Sequence, residues 1–340
     1  CIDCGACIDA CPVSAITTDY ELTEDESDSG VPLAYWTPSG DEEILEAIAF
    51  VSIESFTAVV NVGDDMWHAG VRIAPDLDSI TYALAGVNDT ERGWGRAGES
   101  ERVSGELRAY GVGWPWFTLG DLDLGTHLAR THYLREGLGL SGATERITAR
   151  WPLGATLIPS TDSEVETHVV TADGTLHFQE WWTRHRAAIP ALGFEYRGAE
   201  AASPAPGVLD AIASADAILV APSNPVVSIG PILAIPGIRE ALRDAAAPVV
   251  GVSPIIAGAV VRGMADACLT AIGVETSAAA VALHYGSRSA GGLLDAWLVD
   301  SADAAELARV EAAGIRARAV PLWMTDPSVT ADMVRAALSL

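Results

Sequence analysis

Lysine is absent from this chain. All twenty basic residues among the 340 are arginine, and none falls in the first fifty positions. A P-loop, a Schiff-base enzyme and a Ser-Lys dyad each need a lysine amine, so all three are excluded. No apolar run approaches the ~18 residues of a spanning helix, and no membrane segment or membrane partner is expected. No G-x-G-x-x-G follows a strand-like run, which disfavours a dinucleotide dehydrogenase. Cysteine is scarce: beyond residue 11 only Cys268 remains, in ADACLTAIG, and it reads as a small buried helix residue. The 46 acidic residues leave a net charge of -26, a surface that repels nucleic acid and anionic membranes. A phosphate-bearing small substrate stays compatible, because local arginine and a bound cation reverse the field locally. With 49% apolar residues, the chain can build a large core in one domain or two.

The densest chemistry lies in FTAVVNVGDDMWHAGVRIAPDLD, residues 56 to 78. A β-branched run ends abruptly in Asn61, Gly63, Asp64 and Asp65, with Asp76 and Asp78 close behind and Trp67 among them. A parallel sheet presents polar and metal-binding groups in this way at its carboxyl edge. An acidic surface loop is the plainer alternative. DAILVAPS, APVVGVSPI, LLDAWLVD and IRARAVPLWM read as strands, and PGIREALRDA, SAAAVALHYG, DAAELARVEAAG and PSVTADMVRAAL as helices. This alternation predicts an α/β, Rossmann-like parallel sheet with helices on both faces, carrying a smaller mixed α+β insertion over about residues 110–205. TLIPS, ETHVVTAD and GTLHFQEWW read as strands there, with a turn at Asp173-Gly174.

Other candidates follow strand-like runs. In APSNPVVSIGPI, the residues Pro222, Ser223, Asn224, Ser228 and Gly230 form a tight path whose N-H groups can meet a phosphate. Ser253 repeats the pattern one strand later. TLGDLDLGTH offers Asp121, Asp123 and His127, and VRGMAD offers Arg262 and Asp266. His168, His177 and His185 show no dependable zinc spacing. Trp181 and Trp182 beside them suit either hairpin packing or a wall for a flat ligand.

The first twelve residues, CIDCGACIDACP, have the spacing C-x2-C-x2-C-x3-C-P. The run resembles a bacterial ferredoxin cluster-binding segment, which implies iron-sulfur ligation by Cys1, Cys4, Cys7 and Cys11. In two-cluster ferredoxins the last of these serves the other cluster, and no second run follows here. Residues 1–16 are therefore expected to form a ferredoxin-like segment. An acidic linker over 17–40 and a main domain over 41–338 follow it.

Taken together, VVNVGDDMWHAG, APDLDSITYALAG, GDLDLGTHL, HFQEWW, APSNPVVSIGPILAIPGIREAL and VSPIIAG...GMADACLTAIGVE resemble the 2-phospho-L-lactate transferase family of coenzyme F420 biosynthesis. The likeness is strongest to its actinobacterial members, described as phosphoenolpyruvate transferases. It implies transfer of a phospholactyl or phosphoenolpyruvyl unit from a GDP-type donor to the ribityl hydroxyl of the deazaflavin Fo. GMP would leave, giving F420-0 or its dehydro form. It also implies Mg2+, a homodimer and a cytoplasmic enzyme. Asp65 and Asp78 would be catalytic, with Asp65, Asp76 and Asp78 as Mg2+ ligands. Asn61, Gly63, Asp64, Trp67, Asp121, Asp123, His127, Pro222, Ser223, Asn224, Ser228, Gly230, Ser253 and Arg262 would bind substrates, and Trp67 or the Trp181-Trp182 pair would stack on the deazaflavin. Two departures stand out. The family's opening strand and GGxGG-type turn are not recognisable before FTAVV, so the first Gly-rich βα unit is expected to be missing. Leu122 stands where the family pattern usually has Arg, which predicts reduced activity. An iron-sulfur electron-transfer fusion and an inactive nucleotide-binding homologue remain alternatives.

Overall fold

A computed structural model describes the backbone of Leu33–Thr37 and residues 55–340 apart from residue 262. A seven-stranded sheet organises the chain. Its spatial order is Arg316–Val320, Ala296–Asp300, Val249–Val252, Ala217–Val220, Leu33–Thr37, Phe56–Val60 and Thr156–Pro159, and every neighbouring pair is parallel. The first described strand lies in the middle; the chain builds outward from it to Thr156–Pro159, then returns across that strand and builds the other way. This is the doubly wound order 3-2-1-4-5-6 with one more strand, and its ligand crevice lies beyond the carboxyl ends of the strands where the direction reverses.

Burial explains why these runs are strands. Every residue of Ala217–Val220, Val249–Val252 and Ala296–Asp300 is buried. Each is a short, nearly continuous apolar run, as a sheet covered on both faces requires. At the edge, Arg316–Val320 alternates exposed and half-buried positions. Close approach is built in at Gly251, where an added Cβ would lie 2.4 Å from the Trp297 ring.

The first strand is a correction. The sequence reading expected its loss, but Leu33–Thr37 lies between Ala217–Val220 and Phe56–Val60, in parallel register with both. It falls within the stretch read as a linker. LAYWT is short, sits between acidic and turn-forming residues, and is followed by Pro38, Ser39 and Gly40 rather than a recognisable glycine turn. The helix expected at 41–52 and the cysteine run lie outside the described residues.

The mixed segment leaves and re-enters the main sheet. Helices Asp121–Arg135 and Leu140–Thr148 precede the edge strand Thr156–Pro159. A three-stranded antiparallel sheet then pairs Glu166–Thr171 with Gly174–His177 and with Gly193–Arg197. Its hairpin turns at Ala172-Asp173, one residue before the expected Asp173-Gly174, and Gly174 already pairs with Thr171. The strand read through GTLHFQEWW stops at His177, however, and Glu180–Arg184 forms a π-helical turn. That turn drives Trp181 into an apolar cluster with Val169, Phe178, Val226, Val227 and Cys268.

Candidate active site

Strand Phe56–Val60 ends at Asn61, and a tight turn follows in which the Asp65 N-H donates to the Val62 carbonyl at 3.1 Å. A small hairpin comes next, Met66–His68 against Val71–Ile73. Its two turn residues have positive φ, 50° at Ala69 and 83° at Gly70, as tight two-residue hairpins require. Alanine at the first of these positions hides the turn from sequence reading. Pro75 then opens the helix Pro75–Leu84, with Asp76 and Asp78 in its first turn.

Asn61 ties these pieces together. Its amide donates to Asp64 at 3.2 Å and to Asp76 at 2.8 Å, and its carbonyl accepts from the Gly63 N-H at 2.8 Å. Gly63 lacks a side chain for a reason. A Cβ there would lie 2.8 Å from Pro231 and 2.6 Å from the Thr167 hydroxyl. The acidic turn thus sits against the helix Ile229–Leu233 and the antiparallel sheet at once.

A second group comes from the helix Asp121–Arg135. Asp123, His127 and Arg130 are buried on one of its faces, because residues three and four apart are neighbours on a helix. Arg130 grips Asp78 with both terminal nitrogens, one of them at 3.0 Å. His127 lies 3.3 Å from Asp78 through Nδ1 and 3.3 Å from Asp123 through Nε2. The Tyr82 hydroxyl donates to Asp123 at 2.8 Å. Burial opposes charge on His127, but Asp123 and Asp78 outweigh it and lift its pKa to about 9. For Asp123, His127 outweighs burial and holds the carboxyl below its ordinary range.

Asp65 is different. It is 0% exposed, neither carboxylate oxygen has a hydrogen-bond partner, and its nearest cation is Arg72 Nη2 at 3.5 Å. Burial pushes its pKa up to about 8, against the pull of Arg72 and Arg130 and with the help of Asp76 and Asp78. Asp64 is also raised well above the ordinary carboxylate range, by burial first and by Asp76 next. The buried Arg72 Nη1 and Arg130 Nε have no hydrogen-bond partners either. Buried polar atoms without a hydrogen bond are rare in folded proteins, and here they occur on groups of both signs.

Asp78, Asp123 and His127 bring ligand atoms within 4.8 Å of one another. Arg130 already neutralises Asp78, and charged His127 neutralises Asp123. The Asp65 oxygens, beside Asp76, suit a hard divalent cation better.

The remaining expected residues are dispersed. Trp67 is exposed on the hairpin and donates to Glu164 at 2.7 Å. Asp121 is exposed and accepts from the Ser100 N-H and hydroxyl at 2.8 and 2.9 Å. Leu122 is 40% exposed beside it. Pro222 and Ser223 follow the strand Ala217–Val220, and the Asn224 side-chain Oδ1 accepts from the Val226 and Val227 N-H groups. Ser228 precedes the helix Ile229–Leu233. An added Cβ at Gly230 would meet the Tyr196 hydroxyl at 2.2 Å. The Ser253 hydroxyl is engaged in its own turn with both backbone groups of Ile255. Arg262 lies outside the described residues. Trp181 is a correction: it is fully buried and its indole N-H donates to the Ile189 carbonyl at 2.7 Å, so it offers no face to a ligand.

Sequence reading passed over Arg72, Arg130, Tyr82 and Gln179, whose amide reaches Asp64 at 3.4 Å. The signal for Arg130 was available in D-x-x-x-H-x-x-R, a helical face of alternating charge. Arg72 and Gln179 arrive through the hairpin and the π-helical turn, and no spacing announces them.

The sheet order and this buried acid-arginine centre define an α/β protein of the doubly wound class with a polar site at the carboxyl edge of its sheet. The family described as 2-phospho-L-lactate transferase CofD matches residues 39–330. The chain belongs to this family. It is 56% identical over 291 residues to the phosphoenolpyruvate transferase of Nocardia farcinica, covering 84% of this chain and 86% of the relative. It is 54% identical over 295 residues to that of Mycolicibacterium smegmatis, covering 85% and 89%. With that of Streptomyces coelicolor it shares 56% identity over 288 residues, covering 84% and 89%. A crystal structure of a Bacillus halodurans protein of the UPF0052 family superposes with a TM-score of 0.60 over 92% of this chain and 100% of that one; at 17% identity it supports the fold alone. The family described as 4Fe-4S binding domain matches residues 1–17, in keeping with the cysteine run. Among the described residues no helix is long and apolar enough to cross a membrane.

Proposed function

We propose that this chain transfers a phosphoenolpyruvyl or 2-phospholactyl group from its GDP-linked form to the terminal ribityl hydroxyl of the deazaflavin Fo, releasing GMP, as a transferase of the EC 2.7.8 class in coenzyme F420 biosynthesis. The observation that carries the reading is Asp65: a fully buried carboxylate without hydrogen bonds, facing Arg72 at the carboxyl edge of the sheet. Such a site has unmet demand for positive charge from a metal and for negative charge from a phosphate. The family and the named relatives supply the transferase chemistry.

In the proposed step the hydroxyl oxygen attacks phosphorus, the bridging P-O bond of the pyrophosphate breaks, and GMP carries away the electron pair. The hydroxyl proton passes to Asp65 or Asp78. Reactions of this kind depend on alignment and charge neutralisation more than on a protein nucleophile. Asp65 and Asp76 would hold Mg2+, whose chemistry when bound is to neutralise phosphate oxygens. Arg72, whose Nη1 has no hydrogen-bond partner, would meet a phosphate oxygen. Arg130 keeps Asp78 oriented, and the loop at Pro222–Asn224 with Ser228 and Gly230 would receive the guanosine phosphate. A homodimeric, cytoplasmic enzyme belongs to the same proposal, and light scattering checks the dimer.

The proposal predicts that Asp65→Asn lowers kcat/KM for GMP release at least ~100-fold and abolishes the Mg2+-dependent rise in Tm, while the protein stays folded. Wild-type rates in that variant would overturn the assignment. The cysteine match favours a second, separate role for residues 1–17 as an iron-sulfur segment. Brown colour and visible absorbance of anaerobically purified protein would support it, and colourless protein with unbound iron would end it.

A further inference from the structure

Trp114 and Trp116 stack on each other, with centroids 4.7 Å apart and planes 17° from parallel. Neither is a core residue. Both are half-buried at the margin of a small apolar cluster formed by Met66, Val71, Ile73, Phe117 and Leu119. Most of that cluster is the hairpin that begins one residue after Asp65. Two rings link the pair to the acidic centre. His177 lies 5.9 Å from Trp114, on the strand that leads into Gln179 and its contact with Asp64. His68 lies 5.5 Å from Trp114, three residues beyond Asp65.

Two glycines shape the segment that carries the pair. Gly111 and Gly113 adopt φ of 70° and 76°, conformations that L side chains rarely take. A Cβ at Gly113 would also lie 2.7 Å from the His68 ring. Behind Trp114 is a void of about 10 Å³, bounded by His68, Ser104, Arg108, Val112 and Phe117. It has room for about one water and no side chain fills it.

We propose that the Trp114-Trp116 pair is the stacking platform for the fused aromatic ring of the acceptor, with the acceptor's alcohol chain directed toward Asp65. The inference rests on the transferase reading above and adds where the acceptor ring lies. It replaces Trp181, which is buried, and Trp67, whose indole N-H is engaged by Glu164. A stacked indole pair holds its outer π-face rigid, at little entropic cost. Stacking of a heterocycle on such a face discriminates by ring area rather than by hydrogen bonds.

Fluorescence titration of the deazaflavin Fo into the full chain, with GDP and Mg2+ present, tests the assignment. Trp114→Ala and Trp116→Ala are each expected to raise Kd and KM for Fo about tenfold or more. The Kd for GDP should stay within about twofold, and Trp116→Phe should recover most of the loss. A purely structural role would instead lower Tm and weaken both ligands together. Should Trp114→Ala fail to fold, Trp116→Ala carries the test, since Trp116 has no ring contact with the histidines. Folded variants that bind Fo like the wild type would overturn the platform and leave the transferase reading intact. Wild-type protein that binds GDP but no Fo would overturn both.

Discussion

Asp78 and Asp65 are both buried aspartates of one segment, yet their surroundings assign them different work. Asp78 is held by Arg130 and His127, whereas Asp65 has no hydrogen bond. Arg130→Met would remove the bidentate partner of buried Asp78 and leave it only His127, so urea unfolding should show a loss of about 3–5 kcal/mol. A loss no larger than that of an exposed arginine would contradict the pairing. His127 makes the linkage testable by pH. Its folded pKa, lifted to about 9, exceeds the ordinary value of about 6.5. The folded state therefore binds the extra proton, and its contribution is fully present below about pH 6.5 and is lost as pH rises through 9. Stability at pH 6 and at pH 9.5 should differ in the wild type, and His127→Gln should remove that part of the slope. An unchanged slope would show that His127 is not the group responsible.

Elements bring these residues together through contacts that tolerate no extra atom. Gly63 joins the strand-end turn to Pro231 and Thr167, so Gly63→Ala should cost about 1–3 kcal/mol and lower turnover by displacing Asp64 and Asp65. Thermal unfolding together with GMP release measures both effects, and a silent substitution would refute the close packing. Some of this was legible in the residues. FTAVVN-GDD announced a strand opening into acids, and DLDSITYAL announced a helix with an acidic first turn. Other parts were not. The His68–Val71 hairpin turns on an alanine in the left-handed region, where sequence rules expect glycine or asparagine. GTLHFQEWW keeps a β-like composition, but tertiary burial of Trp181 overrides it in favour of a π-helical turn.

At the scale of the whole molecule the alternation of strands and helices sufficed for the doubly wound fold, and it failed at the centre. The central strand Leu33–Thr37 is recognisable only from its parallel register with strands that follow some twenty and some 180 residues later. Its place predicts an asymmetry in truncation. Removing residues 1–16 should leave Tm and GMP release nearly unchanged, because the sheet is intact. Removing residues 1–37 deletes the strand that joins the two halves and should yield protein without cooperative unfolding. Equal behaviour of the two truncations would displace Leu33–Thr37 from the centre of the fold.

The central claim is the transfer itself, and one assay addresses it. The purified 340-residue chain is incubated with Fo, Mg2+ and, separately, the phosphoenolpyruvyl and phospholactyl forms of the GDP-linked donor, and both product mass and GMP are followed. The account predicts Mg2+-dependent release of one GMP for each Fo converted, with the adduct mass identifying the donor. Folded protein that binds GDP yet forms no adduct from either donor would contradict it, and would leave a nucleotide-binding homologue of the transferases.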